Sequence, residues 1–212
     1  MRKHLEYKGI DHKYILNGAE VPSVTQVIRI ASQYVYGTYA PTKSREAMDK
    51  GTMIHLALAD MDDPNTPKMS GTQSNDFVRY RMAWKAFLTS FNAKPFLVEA
   101  RVASVRYGYA GTLDRVMQMT VSGKRGYYVV DIKTGSSVSS PLARLQTAGY
   151  VLATKEWLGE SLPGPIEKTR VVVHIPHNGQ CYHRVEIFKD SSDEPAFLSC
   201  LALYKWIANN IK

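Results

Sequence analysis

Four charged residues on segments that read as core strands have the types and spacing to do chemistry together. The stretch YYVVDIKTG, residues 127–135, begins apolar and β-branched, then carries Asp131, one apolar residue and Lys133. Side chains alternate faces along a strand, so the carboxylate and the amine point the same way. The preceding strand, YAGTLDRVMQMTV, carries Asp114 three residues after Gly111, and the one before it, FLVEARVASV, carries Glu99. In a three-strand meander, Glu99, Asp114 and Asp131 converge near one patch. Clustered carboxylates repel one another unless a cation sits among them, and oxygen-rich sites suit Mg²⁺ or Mn²⁺. A lysine beside the cation can steady a developing negative charge or orient a water. That set is the equipment of metal-assisted phosphodiester hydrolysis. Taken singly, Glu99 or Asp114 reads equally as a surface carboxylate at a strand end, and Asp131 with Lys133 as a same-face ion pair. The combination points to chemistry.

Two helical segments offer further groups. In KGTMIHLALAD, Gly51 and His55 are four apart and share a helix face; Thr52 and Ala59 flank them. A small Gly51 would let the helix come close to another backbone. His55 reads either as a core histidine or as the nitrogen ligand that the acid cluster lacks. In LQTAGYVLA, Gln146 and Tyr150 are again four apart. A glutamine on an apolar face needs a partner: a core backbone group, or the Asp131–Lys133 strand end and a substrate phosphate.

The elements that must position these groups follow from periodicity. Residues 5–21 read as a small hairpin turning at Asn17 and Gly18. VPSVTQVI opens a helix with Ser23 as N-cap and Gln26 three residues on, a capping-box pattern. Helices are expected over about 44–61 and 76–91, the latter with Phe77, Trp84, Leu88 and Phe91 at helical spacing, separated by a loop over 62–75. From Phe96 the period changes to that of three successive strands joined by RYG and SGKRG turns. Ser140 and Pro141 open a helix to about Leu158. TRVVVHI and CYHRVEIF form two more strands around HNGQ. The final 22 residues form a helix with acids in its first turn and a lysine at its end. The expected fold is α/β: a mixed sheet with an antiparallel three-strand meander, a crossover helix, a further hairpin and an N-terminal helical portion.

The chain has 212 residues, suited to one domain: a mostly helical part over 1–95 carrying His55, a core over 96–190 and a C-terminal helix over 191–212. No run of eighteen apolar residues occurs, and MRKHLEYKGIDHKY lacks the apolar region of a secretory signal. Two cysteines, Cys181 and Cys200, make neither a disulfide framework nor a four-cysteine cluster. A reducing cytoplasm is expected. Lys plus Arg number 27 against 19 acids, a net charge of +8, which favours a polyanionic partner with nucleic acid first.

The order G-T-x-x-H, E, G-x-x-D, D-I-K-T-G and Q-x-x-x-Y resembles the PD-(D/E)XK nuclease superfamily. Within it the RecB-like exonuclease branch, with its phage recombination and mitochondrial genome maintenance exonucleases, is the most similar. The resemblance covers roughly residues 14–190. It implies a restriction-endonuclease-like core and a Mg²⁺- or Mn²⁺-dependent DNA exonuclease acting on ends or single strands in phage or bacterial recombination or repair. A structure-selective endonuclease or a non-cleaving nucleic-acid-binding protein on the same fold are the alternatives. It further implies that His55, Asp114, Asp131 and the carbonyl of Ile132 bind metal and that Lys133 is the catalytic lysine. Glu99 matches an acid often seen on the first core strand, which implies a catalytic role through a metal-bound water. Gln146 and Tyr150, with Thr134, Gly51 and Thr52, support the site or contact DNA. No iron–sulfur cluster is implied.

Three other groups have two readings each. His174, His177, Cys181 and His183 flank the HNGQ turn as an ordinary hairpin or a zinc site, with His174 and His183 expected to pair across it. Arg79, Arg81 and Lys85 form a solvated face or a wall of a DNA channel. Tyr34, Tyr36 and Tyr39 pack a helix end or stack on unpaired bases.

Overall fold

The computed structural model describes residues 3–9, 12–36, 45–66, 77–135, 137–138, 140–176 and 181–211. The expected first hairpin is a three-stranded antiparallel sheet, β1 (Leu5–Lys8), β2 (Lys13–Leu16) and β3 (Ala19–Val21). Asn17 and Gly18 join β2 to β3 with φ of 51° and 87°. A two-residue turn of that kind needs positive φ at both positions. β1 takes the free edge of β2, and Tyr14 and Leu16 bury against Ala103 and Ala110 of the larger sheet.

Helix α1 (Val24–Tyr36) starts with the expected capping box. The Gln26 N–H donates to Ser23 Oγ (3.1 Å), and the Ser23 N–H donates to Gln26 Oε1 (2.7 Å). α2 (Arg45–Asp62) and α3 (Val78–Ser90) follow. The larger sheet contains β4 (Lys94–Ser104), β5 (Tyr109–Val121), β6 (Lys124–Lys133), β7 (Arg170–His174) and β8 (Arg184–Phe188), in that order. Neighbours pair antiparallel except β6 and β7, which are parallel. A parallel pair needs a crossover, and α4 (Ser140–Leu158) supplies it, followed by one 3₁₀ turn over Gly159–Ser161. α5 (Asp193–Asn210) ends the described chain. This is the mixed sheet with meander, crossover helix and further hairpin expected of a restriction-endonuclease-like core.

Each face of the sheet buries one layer of helices. α2 and α3 bring Ile54, Leu58, Trp84 and Phe87 against Met117, Val130 and Val171 on one face. α1, α4 and α5 bring Val27, Val151 and Phe197 against Val116 and Val129 on the other. β7, covered on both faces, is buried along its whole length.

Several local expectations change. Only Ser122 and Gly123, with φ of 49° and 80°, form the β5–β6 turn; Lys124, Arg125 and Gly126 of SGKRG pair into the ladder. The two-residue turn continues the strands' twist, so pairing runs to its edge. Ser140 lies within α4, and its hydroxyl donates to Glu186 of β8. α5 has Asp193 and Glu194 in its first turn but no basic residue in its last. The expected Lys212, the HNGQ turn and the start of the second expected helix before Arg45 lie outside the described residues.

Candidate active site

A gap opens where β5 and β6 stop pairing. Their ladder runs from Val121↔Lys124 to Arg115↔Val130. One residue further on, the strands carry Asp114 and Asp131. β6 stays paired to β7 as far as Lys133↔His174. The Ile132 N–H, which has no β5 backbone acceptor in the ladder, donates to Asp114 Oδ2 at 2.6 Å. The N–H and C=O of one strand residue leave by the same edge, so the Ile132 carbonyl faces this gap too.

His55 reaches the gap from α2. Its Nδ1 stands 3.4 Å from Asp114 Oδ1 and 3.8 Å from Glu99 Oε1. One ligand atom from each of His55, Glu99 and Asp114 falls within 4.8 Å of the others, a group with the donors to hold a metal ion. Flanking register, Val98↔Arg115 and Ala100↔Leu113, places Glu99 opposite Asp114, yet the ladder skips that pair. Glu99 has a φ of 47°. A non-glycine residue there carries strain of about 1–3 kcal/mol, so the surroundings must hold it.

Asp131 and Lys133 form the same-face ion pair, Nζ to Oδ2 at 2.8 Å, with Asp131 only 2% exposed. Beyond that ammonium, Asp131 Oδ2 has no hydrogen-bond partner among the described residues. Lys133 also donates to Gln146 Oε1 of α4 at 2.8 Å. The site therefore straddles the sheet: His55 comes from the layer on one face and Gln146 from the layer on the other. Tyr150, one turn after Gln146, is buried.

The remaining expected residues divide. A Cβ on Gly51 would meet Thr134 Oγ1 at 3.7 Å, ordinary contact. The close approach is therefore to a side chain at the end of β6, not to a backbone. Thr134 is buried there. Thr52 is exposed and donates to the Met48 carbonyl one turn back.

Burial opposes the charges on His55, Asp114, Asp131 and Lys133, and neighbouring charges outweigh it at all of these but Asp131. Burial pushes His55 down, but the carboxylates of Asp114 and Glu99 outweigh it and lift the imidazole to about 10. Lys133 is likewise raised, with Asp131 and Asp114 overcoming burial. Burial works against the Asp114 carboxylate, yet His55 and Lys133 hold its pKa below the usual range. For Asp131 burial prevails over Lys133, and its pKa rises. Two cationic side chains thus offset an acid cluster. Once His55 gives up its proton, its imidazole nitrogen and the carboxylate oxygens of Glu99 and Asp114 make a donor set for a divalent metal ion.

Arg115 escaped the sequence reading. It follows Asp114 and is fully buried. Its Nε donates to Asp62 Oδ2 at 2.7 Å, and one terminal nitrogen donates to Glu99 Oε1 at 2.8 Å and the Asp114 carbonyl at 2.7 Å. Trp84 Nε1 donates to both oxygens of Asp62 at 3.0 Å. The signal was present: Arg115 interrupts the alternation Leu113, Met117, Met119, Val121 on a core strand, and a buried guanidinium must have partners.

The other candidates are placed elsewhere. His174 pairs with Arg184 across the hairpin, not with His183, and its Nε2 bonds the Gly135 carbonyl at 2.8 Å. His183 packs its ring edge-on to Phe87, and Cys181 is exposed. Among the described residues these form no metal-binding group; His177 lies outside them. Arg81 pairs with Asp60 at 3.0 Å, Arg79 bonds and covers Tyr80, and Lys85 is exposed. Tyr34 is 81% exposed and Tyr36 39%; Tyr39 lies outside the described residues.

No family model matches the chain, and no curated protein matches it. Among solved structures it is similar to SSO0001, at 14% identity and a TM-score of 0.40 over 89% of this chain and 76% of that one. It is also similar to an alkaline exonuclease (LHK-Exo) from Laribacter hongkongensis, at 11% identity and a TM-score of 0.41 over 88% and 91%. The same exonuclease in complex with dAMP gives 9%, 0.39, 89% and 88%. No helix among the described residues is long and apolar enough to cross a membrane.

Proposed function

We propose that the chain is a single-domain, Mg²⁺- or Mn²⁺-dependent deoxyribonuclease that works from DNA ends. The observation that carries this reading is the gap between β5 and β6, where His55, Glu99 and Asp114 converge beside the Asp131–Lys133 pair. In this reading His55, Asp114, Asp131 and the Ile132 carbonyl hold the cation, with Glu99 beside them. A bound divalent cation would supply charge neutralisation at the phosphoryl oxygens and make a water more acidic. Lys133, kept as an ammonium by its acidic neighbours, steadies charge developing on the phosphate. Gln146 aims that ammonium through its 2.8 Å hydrogen bond. A net charge of +8 favours the polyanion.

End dependence rests on access. The side chains of His55, Glu99, Asp114 and Lys133 are 24%, 35%, 15% and 29% exposed, so the reacting groups are recessed. A recessed site takes a strand threaded from an end more readily than an intact duplex. Tyr34 and Tyr36, at the end of α1, offer exposed rings on which bases of such a strand stack.

The experiment compares linear DNA with covalently closed single-stranded and duplex circles, in Mg²⁺ or Mn²⁺ and in EDTA. Short products from linear DNA only, and none in EDTA, are expected. Cutting of closed circles would make the chain an endonuclease, and robust cutting in EDTA would remove the metal mechanism.

A further inference from the structure

Glu99 stands at a backbone angle that it would not adopt unaided, and the groups holding it form a chain leading away from the gap. Trp84 on α3 donates to both oxygens of Asp62 on α2. Asp62, with its side chain 1% exposed, accepts from Arg115 Nε. Arg115, with its side chain fully buried and its guanidinium 5.8 Å from the centre of the Trp84 ring, reaches Glu99 and the Asp114 carbonyl with a single nitrogen. A buried ion pair is a poor source of stability, because desolvation offsets its attraction. This guanidinium even leaves its other terminal nitrogen buried without a hydrogen bond. Packing alone would be served better by an apolar residue, as at Met117 and Met119 on the same strand.

Position explains what packing does not. The β4–β5 ladder lapses where Glu99 lies opposite Asp114, and there the Asp114 carbonyl takes its donor from the guanidinium. The same nitrogen fixes Glu99 Oε1 at 2.8 Å, with His55 Nδ1 3.8 Å from that oxygen. One cationic group thereby ties the carboxylate of one candidate ligand to the backbone of another.

We infer that Arg115, braced by Asp62 and Trp84, is a positioning residue that sets Glu99 and Asp114 for a divalent cation. This rests on the metal-site reading above. Groups that orient metal ligands are commonly worth about ten- to a hundredfold in metal affinity.

The test measures Mn²⁺ affinity by calorimetry without DNA, and the melting temperature without metal, for the wild type, Arg115→Lys, Glu99→Gln and the double variant. Arg115→Lys keeps the charge but cannot reach Asp62, Glu99 and the Asp114 carbonyl together. It should weaken Mn²⁺ binding about tenfold or more, and the loss should shrink once Glu99→Gln is present. A purely structural role would lower the melting temperature in both backgrounds and leave Mn²⁺ affinity unchanged, which would overturn the inference. Should Arg115→Lys not fold, Trp84→Phe makes the same comparison, because it keeps a ring and removes only the donor to Asp62. It should weaken Mn²⁺ binding in the same direction, and unchanged affinity would sink the inference. A wild type that binds no Mn²⁺ overturns the metal site itself; a wild type that binds, matched by a folded Arg115→Lys, overturns the role of Arg115 alone.

Discussion

The ring of Tyr150 occupies the space that a side chain on Gly111 would need. A Cβ on Gly111 would stand 2.8 Å from Tyr150 Cε1 and 3.3 Å from a methyl of Val24. α4 thus seats against β5 three residues before Asp114, and the seat sets how Gln146, one turn before Tyr150, meets Lys133.

Gly111→Ala should therefore destabilise the protein by about 1–3 kcal/mol through overpacking. It should also slow cleavage, because Tyr150 cannot retreat without moving the helix that carries Gln146. Thermal melting and a nuclease assay read the two effects. A wild-type melting temperature for Gly111→Ala would show that the ring yields freely.

Removing the ammonium separates chemistry from binding. Lys133→Ala should reduce cleavage about a hundredfold or more while DNA and Mn²⁺ binding largely persist. Asp131→Ala should lose metal binding and activity together. Wild-type cleavage by Lys133→Ala would end the role assigned to it.

Affinity for DNA should fall steeply with salt. If about six phosphates are contacted, binding weakens by roughly 10³-fold between 50 and 200 mM salt. A flat response in a binding assay would point to a partner other than nucleic acid.

Acid stability should report the contact between Asp190 and Arg144 of α4. The N–H and hydroxyl of Ser192, with the Arg144 guanidinium, hold the Asp190 carboxyl at about 2, below its ordinary value. A depressed folded pKa gives stability that is full above the unfolded value and is lost as pH falls through the folded one. The contribution of Asp190 should thus be complete above about pH 4 and gone only near pH 1, below the folded value of about 2. Asp190→Asn should lower the melting temperature at pH 6 and make almost no difference near pH 1. An equal deficit at both pH values would show that its carboxylate charge is not involved.

The sequence by itself determined what local rules control. A change of period and β-branched apolar runs located β4 to β8, the Ser23–Gln26 spacing located the start of α1, and Asn17 with Gly18 located a turn, because each depends on neighbours a few residues away. Four of the five residues around the gap also stood out as charged groups on core strands, where desolvation demands a reason. Tertiary structure decided how they group. His55, Glu99 and Asp114 form the tight cluster and Asp131 turns to Lys133, since the point where β5 leaves β6 depends on register and sheet twist across distant segments. Arg115 shows the same division. Its presence on a core strand was legible, but its partners lie 16 and 53 residues away on other elements, and only folding brings them within hydrogen-bond reach.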